Sequence, residues 1–325
     1  IRPAASKYAQ LGATWVILIL SITSARFMRY KGIMVKSAYE LEHDSLRVLT
    51  PACKLLRPSH WRAGVLFASP HSGNIYPQSF IERSALSIAQ LRKNEDIFVD
   101  KLFAPCVAAG APLLSARFPR CFVDVNRCED EIPPDWCDSP KKCSVRAQAG
   151  LGVIPTHINE TTAIYRRSPE PDVLRLRLAR LYRPYHDALQ DLISDCVSRF
   201  GQGLLIDCHS MPGFSPMGSR RPDIILGDRF GKSCHPDTLA RIQGIFRAAG
   251  YSVSTNYPYA GGYVTEHYGR PNSGIEAIQI EINRDLYLNP VTLAPKKGYD
   301  SLAENMTHII ESIIRSFIPN SRAAQ

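Results

Sequence analysis

No CxxC pair, no GxSxG elbow, no internal repeat and no block of like charge occurs in the 325-residue chain, and its one sustained apolar run ends after a dozen residues. Each absence removes a class. Nine cysteines, an odd number spread from Cys53 to Cys234, do not make a secreted disulfide framework, so reduced thiols and a cytoplasmic setting are expected. Net charge is +9, but the Lys and Arg are dispersed and not interleaved with aromatics, so no nucleic-acid partner is expected. A long-range pull on small anions is the milder consequence. Without the elbow, Ser72 in "HSG" and Ser210 in "CHSM" are poor nucleophile candidates.

The apolar run "LGATWVILILSI" at 11–22 is short for a membrane span, and no stable membrane partner is expected. Arg2 and Lys7 before it and "ITSA" after it give it the order of a signal peptide. The chain opens on Ile, however, and Met34 begins what reads as a natural start. Residues 1–35 are therefore read as an N-terminal extension, either a targeting or anchoring segment or an addition upstream of the true start. Residues 36–325 are read as one domain.

What is present is an ordinary core-forming composition, 45% hydrophobic and 21% charged. Short apolar runs alternate with helical periodicity, which predicts an α/β fold, helices flanking a buried sheet. "GVLFAS", "PLLSAR", "CFVDV", "GLLIDC", "YSVSTN" and "AIQIEI" read as strands. The longest predicted helix spans 172–200, with a stripe of Leu174, Leu178, Leu181, Tyr185, Leu189, Leu192 and Cys196 and a kink at Pro184. A second runs from an Asn94 cap to Gly110, with Asp96 and Asp100 on one face. The stretches 128–144 and 210–222 read as long loops, Cys128, Cys137 and Cys143 being loop thiols, and residues after Pro319 as a frayed tail.

Polar residues gather where strands end: His71 after "VLFAS", Asp124, Asn126 and Arg127 in "CFVDVNR", His209 in "LLIDCHS", Glu281 in "IQIEINRD". Ligands of open α/β sheets bind at the carboxyl ends of strands, so this placement marks a site. Two histidines with a carboxylate suit a divalent metal of zinc type. Glu281, in an otherwise apolar strand, needs a partner such as Arg284 if it is structural. Gly73 reads as the residue that lets the backbone turn sharply after His71.

Seven stretches in order, "SPHSGNIYP", "LRKNEDIFVDKLF", "FPRCFVDVNR", "LLIDCHSMP", "RPDIILGDRFG", "GGYVTEHYGRP" and "IQIEINRDLY", resemble the N-formylglutamate amidohydrolases. These are a branch of the zinc carboxypeptidase and aspartoacylase group of metallohydrolases. The resemblance covers roughly residues 60–317 and implies a zinc-carboxypeptidase-like mixed sheet of about eight strands. It implies a zinc or other divalent ion on His71 and His209, with Glu281 as general base. The wider group has Glu three residues after the first histidine where this chain has Asn74, so the third ligand is expected at Asp96, with Glu95 or Asp100 as alternatives. Asn126 and Arg127 match a pair that holds a substrate carboxylate, a task for which guanidinium is shaped. Arg221 and Arg270 are assigned to substrate binding, and Asp124, Asp223 and His267 to support behind the site.

The activity implied is metal-dependent hydrolysis of a small N-acyl acidic amino acid, N-formyl-L-glutamate above all. A carboxypeptidase-like peptidase or amidase on peptide or cell-wall-like substrates is the enzymatic alternative. An inactive, metal-free anion-binding protein is the other, kept open by Asn74. Oligomeric state is not legible.

Overall fold

The computed structural model describes residues 28–30, 33–133, 136, 144–159 and 161–318. The run 11–22, Cys137, Cys143 and the tail from Pro319 lie outside the described residues. Contacts divide the chain at Ser37–Ala38. Of the first unit, an antiparallel pair of short strands is described, Met28–Tyr30 with Ile33–Val35. Among the described residues no helix is long and apolar enough to cross a membrane.

The second unit is built on a seven-stranded mixed sheet, in which we label β1 Cys53–Leu56, β2 Val65–Ser69, β3 Leu113–Ala116, β4 Gly203–Met211, β5 Ile224–Gly227, β6 Val253–Thr255 and β7 Ile275–Asn283. The spatial order is β6-β5-β7-β4-β2-β3-β1. The central four, β7, β4, β2 and β3, run parallel. Edge strand β1 is antiparallel to β3, and β5 is antiparallel to β7. The helices that matter here are α1 Ala38–Ser45, α2 Val99–Phe103, α3 Pro105–Ala109, α4 Pro171–Arg177, α5 Arg183–Phe200, α6 Pro236–Ala248, α7 Tyr263–Tyr268 and α8 Tyr299–Ser316.

Alternation along the strands sends successive side chains to two separate cores. Leu66, Ala68, Leu205 and Ala277 face the core built on α4 and α5. Val65, Phe67, Ile206, Cys208, Ile278, Ile280 and Ile282 face the one built on α2, α3, α6 and α8. All seven residues of the predicted stripe from Leu174 to Cys196 lie in the first core. The predicted kink takes the form of a π-helical turn, Leu178–Tyr182, joining α4 to α5 just before Pro184. Proline lacks the N–H that would close the preceding turn, and the wider turn absorbs the mismatch. Gly201, at φ 74°, ends α5 in the left-handed conformation.

Three expectations are corrected here. "CFVDV" is not a strand: Phe122 and Val123 fold back through their N–H groups onto the Pro119 carbonyl, and the segment is buried irregular chain. Instead "CKLL" and "IILG" supply β1 and β5, and among the described residues the main mixed sheet has seven strands, in keeping with the expected architecture. The helix expected from Asn94 begins only at Val99, because Phe98 is left-handed at φ 66° and the Asp96 N–H is drawn to the His71 carbonyl. Asp96 therefore lies in a loop tied to His71. Gly73 is required by crowding and not by a turn, since a Cβ there would stand 2.2 Å from the Phe118 carbonyl oxygen.

Candidate metal centre

The polar residues occupy the α5 side of the sheet, at the carboxyl ends of its central strands. Along β4 that face reads Leu205, Asp207, His209, and along β7 it reads Ala277, Gln279, Glu281; both pass from core to polar with the same step of two. The parallel register sets Gln279 beside Asp207 and Glu281 beside His209. His71 follows the end of β2, which pairs with β4 through Ala68 and Asp207.

His71, Asp96 and His209, all buried, converge so that one ligand atom from each lies within 4.8 Å of the others. Asp96 Oδ2 stands 3.0 Å from His209 Nδ1 and 3.5 Å from His71 Nδ1. Each ring is backed on its other nitrogen by a carboxylate: His71 Nε2 lies 2.7 Å from Asp124 Oδ1, and His209 Nε2 lies 2.9 Å from Asp207 Oδ2. A carboxylate accepting from Nε2–H fixes the tautomer and leaves Nδ1 with a lone pair for a cation. His71 Nδ1 is buried and has no hydrogen-bond partner. An orphaned buried nitrogen is costly unless a ligand meets it, so the donor set fits a divalent metal.

Charge supports the same fit. Asp96, Asp124, Asp207 and Glu281 outnumber the guanidiniums hydrogen-bonded among them, Arg120 to Asp124 at 2.8 Å and Arg284 to Asp96 at 2.7 Å. Carboxylates buried in excess of guanidiniums draw a counter-charge, either a proton on His209 or a bound cation. Burial alone would raise the Asp96 carboxyl, but the adjacent His209 and His71 rings and the charge of Arg284 hold it well below its ordinary value. Burial would likewise raise Asp124, which Arg120, His71 and Arg127 hold low. Burial disfavours a charged His209, yet Asp207, Asp96 and Glu281 raise its pKa well above the usual value. Glu281 differs from these. Burial pushes its carboxyl up to about 7, and the opposing pull of His209 and Arg284 does not cancel that rise. A carboxyl poised there can take and return a proton near neutral pH.

The alternatives for the third carboxylate lie elsewhere. Glu95 is turned to Tyr76 and Arg92. Asp100 donates its backbone N–H to Ser72 Oγ at 3.1 Å, and Asn74 is exposed.

Arg284 pairs with Asp96 and Ser210, and Glu281 instead accepts from Gln279 Nε2 at 2.8 Å. The Asn126 amide is fully engaged inside the protein, its Oδ1 accepting from Val264 N–H and its Nδ2 facing Asp207 and His209, so it is not free for a substrate. Arg127 is half-buried, held by the Leu151 and Asn126 carbonyls through Nε and one terminal nitrogen. Arg221 binds the Pro212 carbonyl with its guanidinium 5.4 Å from the Tyr259 ring.

Three expected residues are not brought to the site. Arg270 is exposed beside Ile275, at the amino end of β7, and six residues of strand span roughly 20 Å before Glu281. Asp223 holds Ser252 and Arg220 at the β5–β6 edge. His267 is exposed and stacks on Tyr263. For Arg270 and Asp223, in or beside loops, order along the chain does not fix where a side chain points; His267 is on the exposed face of α7.

Four residues of the site were missed from sequence. Asp207 shares its strand face with His209 by the period of two, a signal present but unused. Arg120 sits four residues ahead of Asp124, just before the segment misread as strand. Gln279 is the same two-residue step before Glu281. Tyr259 follows a loop, and no local pattern announces it; burial raises its pKa, and Arg221, Glu281, Arg284 and Asp96 are near enough to act on it.

A family model described as N-formylglutamate amidohydrolase matches residues 63–288. The chain is 29% identical over 262 residues to an N-formylglutamate deformylase of Pseudomonas aeruginosa, covering 79% of this chain and 93% of that protein. It is 26% identical over 270 residues to an N-formylglutamate deformylase of Pseudomonas putida, covering 82% and 96%. The solved N-formylglutamate amidohydrolase from Ralstonia eutropha is similar at a TM-score of 0.77 and 31% identity, over 82% of this chain and 98% of that one.

Proposed function

The chain belongs to the N-formylglutamate amidohydrolase family, and from that premise we propose that it hydrolyses the amide of N-formyl-L-glutamate to formate and L-glutamate, with a divalent metal, zinc first, on His71, Asp96 and His209. The observation that carries the reading is the convergence of those three buried residues with each imidazole held by a carboxylate on its far nitrogen. A divalent ion held there supplies Lewis acidity toward the acyl oxygen and makes water nucleophilic near neutral pH.

The protein's own groups do the rest. Glu281 accepts a proton from the attacking water and delivers it to the departing amine nitrogen as the C–N bond breaks. Its elevated pKa suits both halves of that exchange. Asp124 and Asp207 hold the two imidazoles in one tautomer and orientation. Arg127, half-buried and flanked by carbonyls, binds a substrate carboxylate, whose fixed distance from the acyl carbon turns binding into orientation. Arg120 faces the same carboxylate cluster, with Asp96 and Glu281 both raising its pKa, and is the second guanidinium available to a dianionic substrate or to charge developing on the acyl oxygen. Arg221, at the rim beside Tyr259, is the remaining candidate for the second carboxylate.

Elemental analysis and side-by-side turnover test this. One equivalent of divalent metal is expected in gently purified protein, with formyl-glutamate preferred over acetyl-glutamate, succinyl-glutamate and short peptides. Chelation should abolish turnover and metal return should restore it. Full activity in metal-free protein would overturn the ligand assignment, and a preference for peptides would overturn the substrate.

A further inference from the structure

Gly261 and Gly262 bring no side chain to the site, yet the turn they form touches both halves of it. Gly262 N–H donates to Gln279 Oε1 at 2.9 Å, and Gln279 Nε2 donates in turn to Glu281 Oε1 at 2.8 Å. Two residues on, Val264 N–H donates to Asn126 Oδ1 at 2.8 Å, which turns Asn126 Nδ2 toward Asp207 Oδ2, 3.4 Å away. An amide side chain has one accepting and one donating end. By binding the oxygen of each amide, the Gly262 N–H at the cap of α7 and the Val264 N–H in its first turn decide that one NH2 faces Glu281 and the other Asp207.

The turn has no room to move. A Cβ on Gly262 would stand 2.4 Å from Asn126 Nδ2, and one on Gly227 would stand 2.7 Å from the Ala260 carbonyl carbon. Gly261 sits at φ 118°, where an L side chain is strained, and its Cβ would stand 2.4 Å from Thr265 Oγ1. Gln279 and Asn126 are each 4% exposed, so water does not substitute for these bonds.

We propose that Gln279 is a positioning residue for Glu281: oriented by the Gly262 amide, it fixes one carboxylate oxygen so that the other is presented for proton transfer. The inference rests on Glu281 being the base. With Oε1 taken by a fixed donor, Oε2 is the oxygen left to accept the proton, and the carboxylate cannot rotate away between accepting and delivering it. This gives the "GGYV" stretch a role in the reaction geometry that needs none of its side chains.

The test uses the full metal-loaded chain with N-formyl-L-glutamate and a double-mutant cycle. Gln279→Glu keeps the acceptor for Gly262 N–H but sets a second carboxylate against Glu281 in place of the donor; Gln279→Met deletes both hydrogen bonds at similar length without adding charge. Each is expected to lower kcat roughly 10- to 100-fold, the scale of a misplaced catalytic group. KM should stay within about threefold and metal content should match wild type, since ground-state binding is untouched. In a Glu281→Gln background neither substitution should lower kcat further, because the two residues act as one unit.

Wild-type kcat in Gln279→Met, or losses that multiply in the Glu281→Gln background, would overturn the positioning role while leaving the base assignment intact. Wild-type kcat in Glu281→Gln itself would overturn the base assignment, and the positioning role with it.

Discussion

Two buried groups of charge lie on the same side of the sheet, and they are built on opposite plans. Beneath an aromatic layer, Arg177 Nε donates to Glu42 Oε1 at 2.6 Å and a terminal nitrogen donates to the Tyr165 hydroxyl at 2.7 Å. Both charged side chains are fully buried, and the guanidinium carbon lies 4.0 Å from the Phe122 ring centre, where the ring face takes the place of a further acceptor. One cation meets one anion, and α1 is joined to α4. At the strand ends, carboxylates exceed the guanidiniums bound to them, and an imidazole nitrogen is left without a partner. The difference is one of charge and not of unpartnered atoms, since Glu42 Oε2 and an Arg177 terminal nitrogen also lack a hydrogen-bond partner: a balanced pair holds elements together, and a cluster with more carboxylates than guanidiniums has a place for a further cation.

Substitutions should separate the two plans. Asp96→Ala at the strand ends is expected to bring metal content to background and turnover below detection, with the protein still folded by circular dichroism. Arg177→Met should do the reverse: stability falls by about 3–5 kcal/mol because Glu42 is left buried and unpaired, while kcat of the folded fraction is unchanged. Adding Glu42→Leu to Arg177→Met should recover most of that loss in chemical denaturation. No recovery would mean that the pair does more than balance itself.

A smaller effect is expected at Asp207. Asp207→Asn keeps the shape but weakens the hold on His209, costing roughly 10- to 100-fold in metal affinity or turnover, as loss of a carboxylate behind a ligand histidine does. Equal metal affinity in a competition titration would show that His209 is held by packing alone.

The smallest effect sharpens a contrast between two histidines. His209 is raised by its carboxylates, whereas His186, among Tyr182, Tyr185, Tyr263 and Tyr268, is lowered to about 4 by burial and by the charge of His267. A folded pKa below the unfolded value means that the unfolded chain binds more protons in between. His186 therefore stabilises fully above pH 6.5, and its contribution is lost as pH falls from there toward 4. Since the ring retains partial exposure, about 1 kcal/mol is expected between pH 6.5 and 5. Denaturant midpoints of wild type and His186→Gln should converge as pH falls through that window; parallel curves would place the shift elsewhere.

The strand-end residues were legible because a polar group at the end of a buried apolar run has few structural reasons to be there. His71, His209 and Glu281 were found that way, and the structure brings them together with Asp96. Asp96 was named although its surroundings were misread: a helix was expected, and a left-handed Phe98 broke it. Asp207 and Gln279 were within reach of the same alternation, two residues back along β4 and β7. The errors at Arg270, Asp223 and His267 have two causes. Arg270 and Asp223 stand in or beside loops, where neither period of two nor period of 3.6 says which way a side chain faces, and His267 lies on the exposed face of the short helix α7.

By itself, then, the sequence determined the alternating core strands, the long stripe on α5, the family and the histidines and glutamate at the strand ends, because periodicity and local composition are short-range properties of the chain. Only the tertiary structure decided which carboxylate meets which imidazole, that Arg284 answers Asp96 and not Glu281, and that a glycine turn orients two amides. Those contacts join residues as far as 113 positions apart, His209 to Asp96, and 188 apart, Arg284 to Asp96, and they exist only once the sheet has fixed its order and register.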